Sequence, residues 1–304
     1  KSGCIEGKYD FIYSGSMLGI NYNKIASNSV GYKSEYEMQS LDFEEFLWAK
    51  GYGEDLTCEL LEHMRTGTPF NQTTMNVMNE MFLDFCILGG MPKVVLTYIQ
   101  NKNFTGTLEL QKELISDYKE DIKKYVQGIE KTKVLNVFNH IPVQLARENK
   151  KFQISKVASG AKFKDYWGCI EWLNDSGIIN ICYCLHTPNL PLKGNYEENK
   201  YKIYFRDTGL ACYLTRWLTA ETLANGAFAG EIFETFVVSE ILKSYSNAGI
   251  DYRYCVSYYR GKDKKENSES EIDFIIEKDG ILYPVEIKKT TNPTADMTNA
   301  FTIL

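Results

Sequence analysis

The sequence predicts a multidomain α+β protein, and three observations carry that expectation. Apolar residues recur at helical spacing through most of the stretch from about 42 to 150. A helix, helix, hairpin order follows over 151–205. A further helix, and then strands broken by an Asp-Gly turn, occupy 206–304. The chain has 304 residues, enough for two or more domains of ordinary size.

Composition narrows the class. Hydrophobic residues make up 44% and charged residues 24%, a globular balance, and 21 Tyr with 16 Phe can fill large cores. A net charge of −6 argues against a surface that binds nucleic acid all round, while leaving room for a local basic patch. No run of about 18 apolar residues occurs, so no membrane span and no membrane partner are expected. No signal peptide is visible. The eight cysteines lack CxxC spacing, so reduced thiols and a cytoplasmic location are expected. The chain starts at Lys1 rather than Met, which raises the expectation of missing upstream sequence.

The elements follow in order. Residues 9–14, "YDFIYS", have the pattern of a short buried strand ending in Ser14-Gly15-Ser16. Asp42, with Glu45 three residues on, has the spacing of a helix capping box before "FEEFLW". Met78, Met81, Phe82, Phe85 and Leu88 mark one helical face over 75–88. Gly89-Gly90 ends that helix and Pro92 opens the next. Helices are predicted again over 108–126 and 132–148.

From 151 to 205 the chain predicts a short helix, a longer helix, a strand, a polar loop over 185–199, and a returning strand "KYKIYF". That is the order of a winged helix-turn-helix. Its second helix carries Lys162, Lys164, Asp165 and Glu171, so it is not strongly basic, and both DNA contact and protein packing stay open. Arg206-Asp207 precedes Thr208-Gly209-Leu210, where an architectural ion pair is the simpler expectation. Residues 230–245 predict a helix with Phe233, Phe236, Val237, Ile241 and Leu242 on its apolar stripe. A strand, "DYRYCVSYYR", comes next.

The stretch "EIDFIIEKDGILYPVEIKK" at 271–289 carries the chemistry. Asp279-Gly280 is a preferred two-residue hairpin turn. Lys278 then faces Ile281, which places Asp273 across from Glu286 and Glu271 across from Lys288. Strand alternation puts Asp273, Glu286 and Lys288 on one face. Ile272, Phe274, Ile276, Val285 and Ile287 are expected on the other. Opposed carboxylates destabilise a ladder, and a divalent cation between them reverses that effect. Lys288 can then orient a water or balance developing phosphate charge. A solvated charged face needing no metal is the alternative.

Asp273 with Glu286-Ile287-Lys288 resembles the PD-(D/E)XK motif of restriction-endonuclease-like folds, with Ile272 where the motif name has Pro. The resemblance implies an acid on the preceding helix, and Glu234 fits that place. More widely, the chain resembles predicted prokaryotic AAA+ ATPases that carry a C-terminal domain of unknown function 4143. The segments that carry this are "YSGS" at 13–16, "LDFEEFL" at 41–47, "GGMPKVV" at 89–95 and "YKEDIKK" at 118–124. They continue with "WLNDSGII" at 172–179, "KIYFRDTGLACYL" at 202–214, "GEIFETFVVSEI" at 230–241 and the hairpin itself.

The resemblance implies four regions. Residues 1–41 would be a remnant of the ATPase core and 42–150 a helical region. Residues 151–205 would be winged-helix-like and 206–304 a nuclease-like α/β domain, with "TADMTNAFTIL" expected to be the start of a truncated helix. Ser14 would correspond to a sensor residue near the γ-phosphate. No GxxxxGK[ST] loop is present, so ATP is expected only in a longer chain carrying that loop.

The resemblance implies catalytic roles for Glu234, Asp273, Glu286 and Lys288, with Mg²⁺ on Asp273 and Glu286. The expected function is Mg²⁺-dependent phosphodiester cleavage of nucleic acid by a module of an ATPase. The alternative is a non-catalytic module that binds DNA or a partner protein, or governs self-association. His63, His140 and His186 lie far apart and suggest no site.

Overall fold

The computed structural model describes residues 12, 14–15, 34, 36–126, 130–146, 151–216, 219–226, 229–249, 255–262, 269–288, 290 and 294–304. The expected strand at 9–14 lies almost wholly outside them. Ser14 itself is exposed and in no regular element.

Asp42 starts the helical region as the sequence predicts. Its side chain accepts from the Glu45 N–H, and Glu45 returns the bond to the Asp42 N–H. This capping box opens α1 (Phe43–Ala49), followed by α2 (Glu54–Thr66), α3 (Gln72–Leu88) and α4 (Pro92–Asn101). Next come α5 (Thr107–Tyr125) and α6 (Glu130–Leu145). Phe46, Leu47, Met81, Phe85, Leu88, Val94 and Val95 form one buried cluster between α1, α3 and α4.

A tight corner joins this region to the rest. Gly89 caps α3 at φ +71° and Pro92 is the first residue of α4. A Cβ on Gly89 would sit 2.1 Å from Asp207 Oδ1, and one on Gly90 would sit 1.9 Å from the Leu41 carbonyl oxygen. Only glycine permits both approaches. Asp207 caps α8 (Thr208–Thr215) through the Leu210 N–H and also accepts from the Gly90 N–H. Arg206 bonds Glu37 and the carbonyls of Asn174 and Ile179. The Arg-Asp pair therefore staples separate segments of the chain.

The middle of the chain supplies α7 (Phe163–Asp175) and an antiparallel hairpin of β1 (Ile179–Leu185) with β2 (Tyr196–Phe205). Then follow α8, α9 (Ala220–Asn225) and α10 (Ala229–Asn247). Last come β3 (Val256–Lys262), β4 (Glu269–Lys278), β5 (Ile281–Val285) and a 3₁₀ segment at Ala295–Ile303. That segment takes the place of the helix expected over the same residues.

The five strands make one mixed sheet in the order β2-β1-β3-β4-β5. The hairpin over 179–205 is thus no separate wing. β1 pairs in parallel with β3, Tyr183 against Ser257, so the sheet crosses the boundary expected at 205/206. Helices α3, α5, α6, α7, α8 and α10 pack with the sheet around the main core, which includes Phe138, Ile170, Tyr204, Phe205, Ile232 and Phe274. Among the described residues, no helix is long and apolar enough to cross a membrane.

The β4–β5 hairpin forms in the expected register. Lys278 faces Ile281 and Phe274 faces Val285. Asp279 and Gly280 both take positive φ, 53° and 74°, as a type I′ turn requires. One expectation fails. Ile272 belongs to a cluster with Leu185, Leu192, Ile275 and Ile303, while Phe274 belongs to the main core. The cause is a β-bulge. Ser257 pairs with Ile275 and Tyr259 with Ile272, so Asp273 and Phe274 together oppose Tyr258 alone. An extra residue breaks the two-residue alternation. Ile272 and Phe274 are both fully buried, but on opposite faces of the sheet.

Candidate functional site

The bulge sits where the chemistry is. It re-aims Asp273 near the point at which the ladder with β5 stops. The last regular pair is Phe274 with Val285, and side chains carry the pairing onward. The Ile287 N–H donates to Asp273 Oδ2 at 2.8 Å. The Asp273 N–H points at Glu286 Oε2 from 3.4 Å, a long contact. Each carboxylate thus meets a backbone N–H of the facing strand. Lys288 Nζ closes onto Glu286 Oε1. Asp273, Glu286 and Lys288 are therefore brought together as the sequence predicts.

Glu234 joins them from α10. It is 3% exposed, and its Oε2 accepts from the Tyr204 hydroxyl at 2.8 Å. Its charge is felt at Asp273. Burial pushes the Asp273 carboxyl up to about 6; Glu234 and Glu286 push the same way, and the Ile287 N–H and Lys202 oppose them. At Lys288, burial disfavours the charge, but Glu286, Asp273 and Glu234 outweigh it and raise the pKa above the ordinary lysine value.

Three residues here were not foreseen as part of the site. Lys202 on β2 is 2% exposed, and its Nζ lies 2.6 Å from Glu271 Oε1 and 4.0 Å from Glu234 Oε2. Glu271, expected across from Lys288, turns to Lys202 instead. Tyr204, two residues along β2, holds Glu234 and sets its ring edge-on to Phe274 at 5.7 Å. The signal in the sequence was a lysine inside the otherwise apolar run Tyr201-Lys202-Ile203-Tyr204-Phe205. Burial opposes the Lys202 charge, yet Glu234 and Glu271 outweigh it and its pKa is raised. The ring of Tyr258 adds a cation–π contact at 4.8 Å.

The donor set suits a hard divalent cation. Glu234, Asp273 and Glu286 offer only oxygen ligands, the kind Mg²⁺ and Mn²⁺ prefer. Four carboxylates, counting Glu271, face two ammonium groups, Lys202 and Lys288. That leaves an excess of two negative charges when all are ionised. Among the described residues, no group of three or more His, Cys, Asp or Glu side chains is gathered so as to hold a metal ion. A cation would rest on Asp273 and Glu286, with water filling its remaining positions.

Two family models match the chain. One, described as Domain of unknown function (DUF8612), covers residues 79–221. The other, described as Domain of unknown function (DUF4143), covers residues 229–304. Neither the curated proteins nor the solved structures yield a match. The site draws on both matched segments. Lys202 and Tyr204 come from the first, and Glu234, Glu271, Asp273, Glu286 and Lys288 from the second.

Proposed function

We propose that the described site is a metal-dependent phosphodiesterase centre acting on nucleic acid, built on a restriction-endonuclease-like arrangement of α10 and the β3–β4–β5 meander. One observation carries this reading: an acid from the helix and two acids and a lysine from the hairpin converge on one end of the β4–β5 ladder. Asp273 and Glu286 would hold Mg²⁺. The ion, when bound, supplies Lewis-acid polarisation of a phosphoryl oxygen and a lowered pKa for a bound water. Glu234, fixed by Tyr204, adds negative charge beside that position. Lys288 has a side chain 44% exposed, so it can turn from Glu286 toward a phosphate or an attacking water.

In the same reading the chain is a C-terminal portion of an AAA+ ATPase. The order of the quoted segments supports that assignment, and the DUF4143 match over residues 229–304 is consistent with it. ATP would be bound only by a longer chain, and Ser14 would take up its sensor role there. A Walker A motif encoded immediately upstream of Lys1 is the observation that tests this part.

A second reading has its own support. Lys288 already pairs with Glu286, and Asp273 is already met by the Ile287 N–H. An internally satisfied site of this kind suits a module that engages DNA or a partner protein without cutting.

One experiment separates the two. Thermal unfolding is followed while Mg²⁺ or Mn²⁺ is titrated into the wild type and into Asp273→Ala. A ligand at 100 times its dissociation constant stabilises by about 2.7 kcal/mol. The phosphodiesterase reading expects that gain in the wild type alone, together with metal-dependent cleavage of DNA or RNA. An equal response from both proteins, with no cleavage, leaves the binding module.

A further inference from the structure

Lys202 is a charge for which hairpin chemistry alone has no use. It stands on β2 at 2% exposure, and burying an ion is unfavourable unless it is paired. Its pairs are two carboxylates from different elements, Glu271 of β4 and Glu234 of α10. The Glu271 carboxylate at 2.6 Å, the Glu234 charge and the Tyr258 ring hold the ammonium in place. A strand interior would more cheaply carry Val or Ile at this position.

We propose that the Lys202 ammonium occupies the place a second divalent cation would take, so that this site is built for one metal ion. The inference rests on the metal-site reading above and adds its stoichiometry. A second ion would need carboxylate oxygens beyond those of Asp273 and Glu286. Glu234 and Glu271 are the acids within reach, and Lys202 lies against both. The charge balance agrees. Four carboxylates less two ammonium groups leave two negative charges, which a single Mg²⁺ or Mn²⁺ neutralises. Lys202 is thus a positioning residue. It keeps the helix acid and Glu271 turned toward a fixed internal cation.

The test is calorimetric titration of Mn²⁺ into the intact chain, with circular dichroism as the check on folding. The wild type is expected to take one equivalent, lost in Asp273→Ala. Lys202→Gln removes the internal cation, and the freed acids are expected to take a second equivalent. If that variant is unfolded without metal, Mn²⁺ is expected to restore the wild-type spectrum, because an ion then replaces the ammonium. Two equivalents in the wild type overturn the proposal. So does a folded Lys202→Gln that still takes one, or an unfolded one that Mn²⁺ does not rescue. No binding by the wild type, or binding that survives Asp273→Ala, removes the hairpin metal site itself and this inference with it. Those failures show in the wild-type and Asp273 arms and not in the Lys202 arm.

Discussion

The carboxylate of Asp207 accepts the backbone N–H of Gly90 at 2.8 Å, across 117 residues of sequence. The same side chain caps α8 through the Leu210 N–H, 3.1 Å away, and is 2% exposed. Asp207→Ala leaves two buried donors without partners. Each costs about 1–3 kcal/mol, so urea unfolding is expected to show a loss of about 2–6 kcal/mol. Gly209→Ala attacks the same corner from the other side. Its Cβ would lie 2.1 Å from the Leu88 carbonyl oxygen, and overpacking there is expected to cost about 1–3 kcal/mol or more. Wild-type stability in both variants would show that the corner is not a structural lock.

The hairpin turn gives a sharper test because its two positions differ in what they tolerate. Asp279 takes φ 53°, a conformation that Asn shares readily and β-branched residues resist. Asp279→Asn is expected to leave stability unchanged within about 0.5 kcal/mol. Asp279→Val is expected to cost about 1–2 kcal/mol. Equal midpoints for the two variants in chemical denaturation would contradict the type I′ geometry.

Much of this architecture was legible in the sequence, and the reasons are local. The capping box at Asp42, the glycine stop at Gly89 and the Pro92 start each follow from backbone chemistry within a few residues. The Asp-Gly turn fixed the register of β4 against β5, and with it the meeting of Asp273 and Glu286. The parallel pairing of β1 with β3 joins Tyr183 to Ser257 and has no turn to announce it. The sequence therefore does not show it, and predicts the β1–β2 hairpin as a separate wing. The bulge at Asp273 leaves no mark in the sequence for a related reason. One inserted residue leaves the apolar pattern intact while moving Ile272 to the other face. Lys202 left a clear mark, a cation inside an apolar strand. Its partners on α10 and β4 are set by tertiary packing and could not be named from the sequence.

The raised pKa of Asp273 predicts a stability cost that depends on pH. Burial first, then Glu234 and Glu286, lift it from the usual carboxylate value to about 6. A group whose pKa rises on folding stabilises most below its unfolded value, and that stabilisation is lost as pH climbs through the folded value. The metal-free protein thus carries an unfavourable charge at Asp273 above about pH 6. Asp273→Asn removes the charge and keeps an oxygen for the Ile287 N–H. In EDTA its melting temperature is expected to exceed that of the wild type at pH 8. The gap is expected to close as pH falls toward 4. A constant difference across that range, or a less stable variant at pH 8, would count against the crowded-carboxylate picture.

Tyr204 offers the cleanest probe of how the helix acid is held. Its hydroxyl, fully buried, donates to Glu234 Oε2 at 2.8 Å, while its ring packs edge-on against Phe274. Tyr204→Phe deletes the bond and keeps the ring, so core packing is preserved. Hydrogen bonds to charged groups contribute about 1.5–3 kcal/mol, and a loss of that order is expected. Burial and the nearby Glu234 charge hold the phenol pKa well above the ordinary tyrosine value, so the hydroxyl keeps its proton to donate. Glu234→Gln weakens the same bond from the other end. The two substitutions share one interaction, so the double variant is expected to lose less than the sum of the single losses, by about 1–2 kcal/mol. Losses that add within about 0.3 kcal/mol would mean that Tyr204 and Glu234 act independently and that β2 does not position the helix acid.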